Sequence, residues 1–137
     1  MTTYLDSSVI LRHVLGQPGT YPLEGVGRAV STQLARAECR RSLDRLRVRG
    51  RLPADRLREA YLAAERMLES MDLAAVDAEI LDRAGGPLPG PLGTLDAIHL
   101  ATATYWTRQV QGPFALATHD RALAETAILF GLTVVGG

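Results

Sequence analysis

The sequence predicts an α/β fold, a parallel sheet with helices packed on both of its faces. Short apolar runs at Thr2 to Asp6, Arg28 to Ser31, Leu73 to Val76, Phe114 to Ala117 and Leu132 to Val135 alternate with longer segments of helical periodicity. Parallel strands need crossover connections, and the intervening helices supply them. The one stretch rich in proline and glycine, Gly85 to Gly93, is a surface loop too short to link two domains, so residues 1–137 read as a single domain.

Taken in order, the first strand stops on Asp6, and Ser7 or Ser8 can cap the helix behind it, which has Val9, Ile10, Val14 and Leu15 as apolar positions. That helix ends near Gly16, Pro18 and Gly19; after a loop carrying Pro22, Gly25 and Gly27, Thr32 can cap a helix running to about Gly50, with Leu34, Leu43 and Leu46 on its buried side. Pro53 opens the next helix, where Leu57, Ala60, Tyr61, Ala64, Leu68 and Met71 form an apolar stripe. Asp77 begins a short helix with Ile80, Leu81 and Ala84 inward. Thr94 caps a helix from Leu95 to about Arg108 that is apolar or small on most sides and therefore buried. Asp120 to Phe130 is the last helix, with Leu123, Ala127 and Phe130 on one face and Gly131 as its left-handed cap.

With 47% hydrophobic and 22% charged residues, the chain belongs with globular rather than disordered proteins. Its formal net charge is zero, so a nucleic-acid partner must be held by a local patch rather than by bulk charge. Arg36, Arg40, Arg41, Arg45, Arg47, Arg49 and Arg51 are the one basic concentration, readable either as an RNA-steering surface or as a solvated helix face. The few aromatics, Tyr105 and Trp106 among them, offer no stacking platform and suit a core. The lone cysteine, Cys39, excludes an internal disulfide and fits a reducing compartment. No run is long and apolar enough to span a membrane, and the start lacks a signal-peptide layout, so no membrane partner and a cytoplasmic location are expected.

Four acids are attached to apolar elements and need explaining. Asp6 ends the first strand, where open α/β sheets bind ligands, although an acid there also caps a helix well. Glu38 shares the apolar stripe of its helix, where a carboxylate costs several kcal/mol unless paired; Arg41 or Arg45 could pair with it. Asp96 stands in the first turn of the most apolar helix, where the helix dipole offsets only part of the desolvation cost. Asp120 follows the fourth strand through Thr118 and His119, again at a position that suits a cap. Jointly the four suggest one crevice. Like charges about 4 Å apart repel by roughly 4 kcal/mol at an effective dielectric of 20, so such a cluster needs protons or a cation. Oxygen ligands suit Mg²⁺ or Mn²⁺. His99 and His119 could ligate zinc, but no paired Cys/His spacing supports it. A Cys39 and His99 nucleophile lacks an evident activator.

Tyr4-Leu5-Asp6-Ser7-Ser8, Glu38 inside the second helix, Leu95-Asp96-Ala97-Ile98-His99-Leu100-Ala101, and Thr118-His119-Asp120-Arg121-Ala122-Leu123 with Gly131-Leu132 together resemble the PIN-domain ribonucleases, especially the VapC-type toxins of toxin-antitoxin pairs. The resemblance implies a three-layer fold with a five-stranded parallel sheet in order 3-2-1-4-5. It also implies a metal-dependent ribonuclease using Mg²⁺ or Mn²⁺, with Asp6, Glu38 and Asp96 as core acids, Asp120 as a more variable fourth, and Ser8 and Thr118 lining the site. Arg40, Arg41 and Arg45 are the candidate RNA contacts. Gly93 stands where relatives often carry a basic residue. A homodimer and a small antitoxin covering the crevice are further implications. Two rivals come from other classes. An aspartyl phosphatase would need a second Asp where Ser8 stands; a catalytically silent scaffold would bind RNA or a protein without cutting.

Overall fold

A computed structural model describes residues 1–136. Its elements in chain order are β1 (Thr2–Leu5), α1 (Ser7–Val14), β2 (Arg28–Thr32), α2 (Gln33–Val48), α3 (Ala54–Glu69), β3 (Asp72–Ala74), α4 (Ala78–Ala84), α5 (Thr94–Gln109), β4 (Phe114–Ala117), α6 (Arg121–Leu129) and β5 (Val134–Val135). The strands form one sheet in order β3-β2-β1-β4-β5, every pair parallel. This is the expected α/β architecture and strand order. The order reverses between β1 and β4, where Leu5 lies opposite Ala117. Asp6 and Thr118, the next residue on each strand, are thereby set side by side at the crevice where such sheets bind ligands.

The two-residue period of a strand sends neighbouring side chains to opposite faces. Tyr4 and Leu116 pack with Leu100, Ala103, Trp106, Leu123 and Ala127 from α5 and α6. Leu5 and Ala117 pack instead with Val9, Ile10, Ala35, Cys39 and Leu68 from α1, α2 and α3, and with Met71 just after α3. The sheet is thus covered on both faces. Trp106 is in the core, as its surroundings in sequence imply, and its indole N–H donates to the Ser31 carbonyl at 2.9 Å.

Local chemistry explains the helix ends, with two corrections. Thr32 caps α2 by accepting from Leu34 N–H, and Asp77 caps α4 by accepting from Ile80 N–H. Gly131, at φ +94°, takes the left-handed position after α6. Neither Ser7 nor Ser8 caps α1, however: Asp6 holds the N-cap position, and its side chain makes no cap bond. Thr94 is inside α5, which Gly93 precedes at the N-cap without a side-chain acceptor.

Three positions expected inside are exposed. Tyr61 and Leu81 are largely exposed. The buried stripe of α3 is the narrow series Ala60, Ala64 and Leu68, and α4 buries only Ile80. Phe130 is also exposed, because it lies past the last turn of α6 as its C-cap. β3 begins one residue earlier than expected and β5 is confined to two residues. Among the described residues no helix is long and apolar enough to cross a membrane.

Candidate functional site

Asp6 is 4% exposed, so its carboxylate must be compensated inside the protein. Its Oδ2 accepts from Ser8 Oγ at 2.8 Å and from Thr118 Oγ1 at 2.7 Å. Each of those hydroxyls in turn accepts a backbone N–H, Ser8 from His119 at 3.0 Å and Thr118 from Asp120 at 3.0 Å. The turn after β4 is thus tied to the turn after β1 through the two hydroxyls expected to line the site. Asp6 is at the cap position but does not cap, which leaves its Oδ1 turned toward His99 Nε2 at 3.5 Å.

Glu38 is not paired with Arg41 or Arg45. Its Oε1 accepts from Ser7 Oγ at 2.6 Å and lies 2.5 Å from His99 Nε2. Arg41 reaches Asp44 and Arg45 reaches Ser42 instead, because their side chains run outward along the exposed face of α2. Burial alone would push the Glu38 carboxyl up; the bonds from His99 and Ser7 outweigh it and hold the group below the usual range. Burial would likewise push His99 down, and here the bond to Glu38 and the charges of Asp6, Glu38 and Asp96 overcome it and raise the imidazole. On the other side of the ring, Tyr4 Oη lies 2.8 Å from His99 Nδ1.

Asp96, half-buried at the start of α5, is pushed up to about 6, first by burial and then by the charges of Asp120, Asp6 and Glu38, with His99 opposing. Asp120 does cap its helix, accepting from Leu123 N–H through Oδ1 at 2.9 Å. The fold therefore brings Asp6, Glu38, Asp96 and Asp120 into one electrostatic cluster, from the ends of β1 and β4, the second turn of α2 and the first turn of α5.

It does not bring the arginines in. Arg40 binds Glu65 through two bonds of 2.7 and 3.0 Å, and Arg41 and Arg47 share Asp44. These side chains line a cavity of about 540 Å³ between α2 and α3 that contains none of the four acids. His119 is also separate, with Nε2 accepting from Tyr21 N–H and Nδ1 bonded to the Gly136 carbonyl, so it and His99 form no zinc pair. Cys39 is fully buried and burial pushes its thiol up to about 12, which removes it as a nucleophile.

His99, Ser7 and Tyr4 are the participants that sequence reasoning missed. In the sequence His99 stands out as a candidate zinc ligand or a partner for Cys39; nothing in its spacing points to Glu38, 61 residues away.

Among the described residues no group of three or more His, Cys, Asp or Glu side chains is already arranged to hold a metal ion. The donor chemistry nonetheless fits a hard divalent cation. Serine, threonine, imidazole and backbone donors fix one oxygen each of Asp6, Glu38 and Asp120, and among the described residues Glu38 Oε2, Asp120 Oδ2 and both oxygens of Asp96 carry no hydrogen bond. The elevation of Asp96 reflects negative potential that a cation would relieve.

Comparison with known proteins places the chain by family. A family model described as the PIN domain matches residues 3–129. The chain is 38% identical over 136 residues to Ribonuclease VapC46 of Mycobacterium tuberculosis (strain ATCC 25618 / H37Rv), a match covering 96% of this chain and 95% of that one. The fold and these two matches agree: the chain belongs to the PIN-domain family, in its VapC-type branch.

Proposed function

We propose that this protein is a metal-dependent endoribonuclease that hydrolyses RNA phosphodiester bonds as the toxin of a toxin-antitoxin pair, with Mg²⁺ or Mn²⁺ as cofactor. The observation that carries the reading is the convergence of Asp6, Glu38, Asp96 and Asp120 at the ends of β1 and β4, with one oxygen of most of them fixed and the others free. The 38% identity to a protein named as a ribonuclease supports the substrate class.

Asp6 and Asp96 would hold the ion directly, and Glu38 and Asp120 directly or through water. When bound, such an ion supplies Lewis-acid charge at the phosphate and lowers the pKa of water. Ser8 and Thr118 keep Asp6 in place, and Glu38 or Asp120 orients the attacking water. The Cys39 thiol is buried and protonated, so water rather than a protein sulfur is the nucleophile. Of the candidate contacts Arg40, Arg41 and Arg45, Arg45 is the one whose side-chain partner is the neutral Ser42 rather than a carboxylate, which leaves its charge available to RNA phosphate. A small antitoxin that covers the crevice, a homodimer and a cytoplasmic location complete the reading.

Purified protein, free of antitoxin, incubated with single-stranded and hairpin RNAs tests it. Cleavage in Mg²⁺ or Mn²⁺ that EDTA abolishes is expected. Metal-independent cleavage would contradict it, and RNA binding without cleavage in either metal would favour a silent scaffold.

A further inference from the structure

The geometry points to His99 as a positioning residue that fixes Glu38 for metal binding by clamping it between α2, α5 and β1. This inference rests on the reading of the acidic crevice as a metal centre.

His99 is 1% exposed and every polar atom of its ring is engaged. Nε2 faces Glu38 Oε1 at 2.5 Å, with Asp6 Oδ1 at 3.5 Å and Ser7 Oγ at 3.4 Å around it. Nδ1 faces the hydroxyl of Tyr4 at 2.8 Å. Tyr4 is itself fully buried, and its ring meets the imidazole edge to face at 89°. The imidazole therefore cannot swing without breaking contacts on both edges.

Its bond to Glu38 needs a proton on Nε2, and Tyr4 makes that bond independent of the charge on the ring. A phenol can donate to a bare Nδ1 or accept from a protonated one. In both states Nε2–H stays aimed at Glu38 Oε1.

Glu38 needs such a partner more than the other acids do. Asp6, Asp96 and Asp120 are short side chains at a strand end or in the first turn or cap of a helix, where two torsions set the carboxylate. Glu38 projects from the second turn of α2 on three torsions. Ser7 and His99 converge on Oε1 and leave Oε2 free to face a cation. Groups that hold a ligand from behind typically change metal affinity about 10- to 100-fold when removed.

The test compares the parent protein with His99→Leu, His99→Gln and Tyr4→Phe. Mn²⁺ affinity is measured by calorimetry, with thermal melts in EDTA and the kcat and KM of RNA cleavage alongside. His99→Leu removes the donor and should weaken Mn²⁺ binding about tenfold or more and lower kcat, with KM for RNA changing less than about threefold. His99→Gln can return an N–H near the Nε2 position and should restore most of the affinity. Tyr4→Phe frees the other edge of the ring and should weaken Mn²⁺ binding by at least about threefold. Parent-like Mn²⁺ affinity in a folded His99→Leu protein would overturn the inference. Should His99→Leu fail to fold, Tyr4→Phe and His99→Gln decide: unchanged affinity in the first, or a loss in the second as large as any seen, overturns it. A parent protein that binds no Mn²⁺ overturns the metal-centre reading itself, which separates that failure from the failure of the clamp.

Discussion

Thr118 Oγ1 donates to Asp6 Oδ2 at 2.7 Å while accepting the N–H of Asp120 at 3.0 Å, so one buried hydroxyl joins the residues that follow β1 and β4. Thr118→Val keeps the shape and removes both bonds. A bond to a buried charged group is worth about 1–3 kcal/mol, and urea denaturation should show a loss in that range. A loss below about 0.5 kcal/mol would mean that Ser8 alone satisfies Asp6.

Asp96 sets a pH dependence whose sign is the reverse of the usual carboxylate. Its folded value of about 6 lies above the ordinary 3.8, so the folded chain holds more protons than the unfolded one between those values. Stability of the metal-free protein therefore falls as pH rises through that window, by the contribution of this group. Asp120, Asp6 and Glu38 face it with negative charge and His99 with positive. In EDTA, Asp96→Asn should melt higher than the parent at pH 7.5, with the difference shrinking toward pH 4.5. A difference that does not vary with pH, or a lower melting temperature at pH 7.5, would contradict the crowding of charge around Asp96.

The fold was largely legible because its signals are local. Alternating apolar runs, Thr32 and Asp77 as caps, and Gly131 at a left-handed position each act within a few residues. Tyr61 and Leu81 misled because an apolar residue one position off a helical stripe looks the same in sequence whether or not a neighbouring element covers it. In the site, the acids were legible as charges on apolar elements. Their partners were not: the alternative partner for Glu38, Arg41 or Arg45, was the nearest in sequence, while the partner the fold supplies comes from α5. Asp6 was ambiguous for a similar reason, since a cap and a ligand occupy one backbone position and differ only in whom the carboxylate faces.

Cys39 should be inert in the folded protein. It is fully buried and its thiol sits near 12, so iodoacetamide at pH 8 should leave native protein unmodified and label it fully once urea unfolds it. Rapid labelling under native conditions, accompanied by loss of cleavage, would restore a role for the thiol.

The arginines of α2 should separate by partner. Arg40 is held bidentately by Glu65, whereas Arg45 bonds only Ser42 among the described side chains. Arg45→Ala should weaken RNA binding severalfold at low salt and reduce the salt dependence by about one phosphate contact. Arg40→Ala should leave RNA binding within about twofold and the melting temperature nearly unchanged, as for an exposed pair. Equal salt-dependent losses in both would show that the whole arginine face contacts RNA.

The most direct test is the single-turnover rate of RNA cleavage by Asp6→Asn at saturating Mn²⁺, beside parent protein purified identically and free of antitoxin. The substitution keeps the size of the side chain and the acceptor for Ser8 and Thr118 while removing the charge. The expected result is a fall of at least about a hundredfold with the melting temperature in EDTA unchanged or higher. Cleavage within about threefold of the parent would contradict a metal-dependent ribonuclease built on this carboxylate.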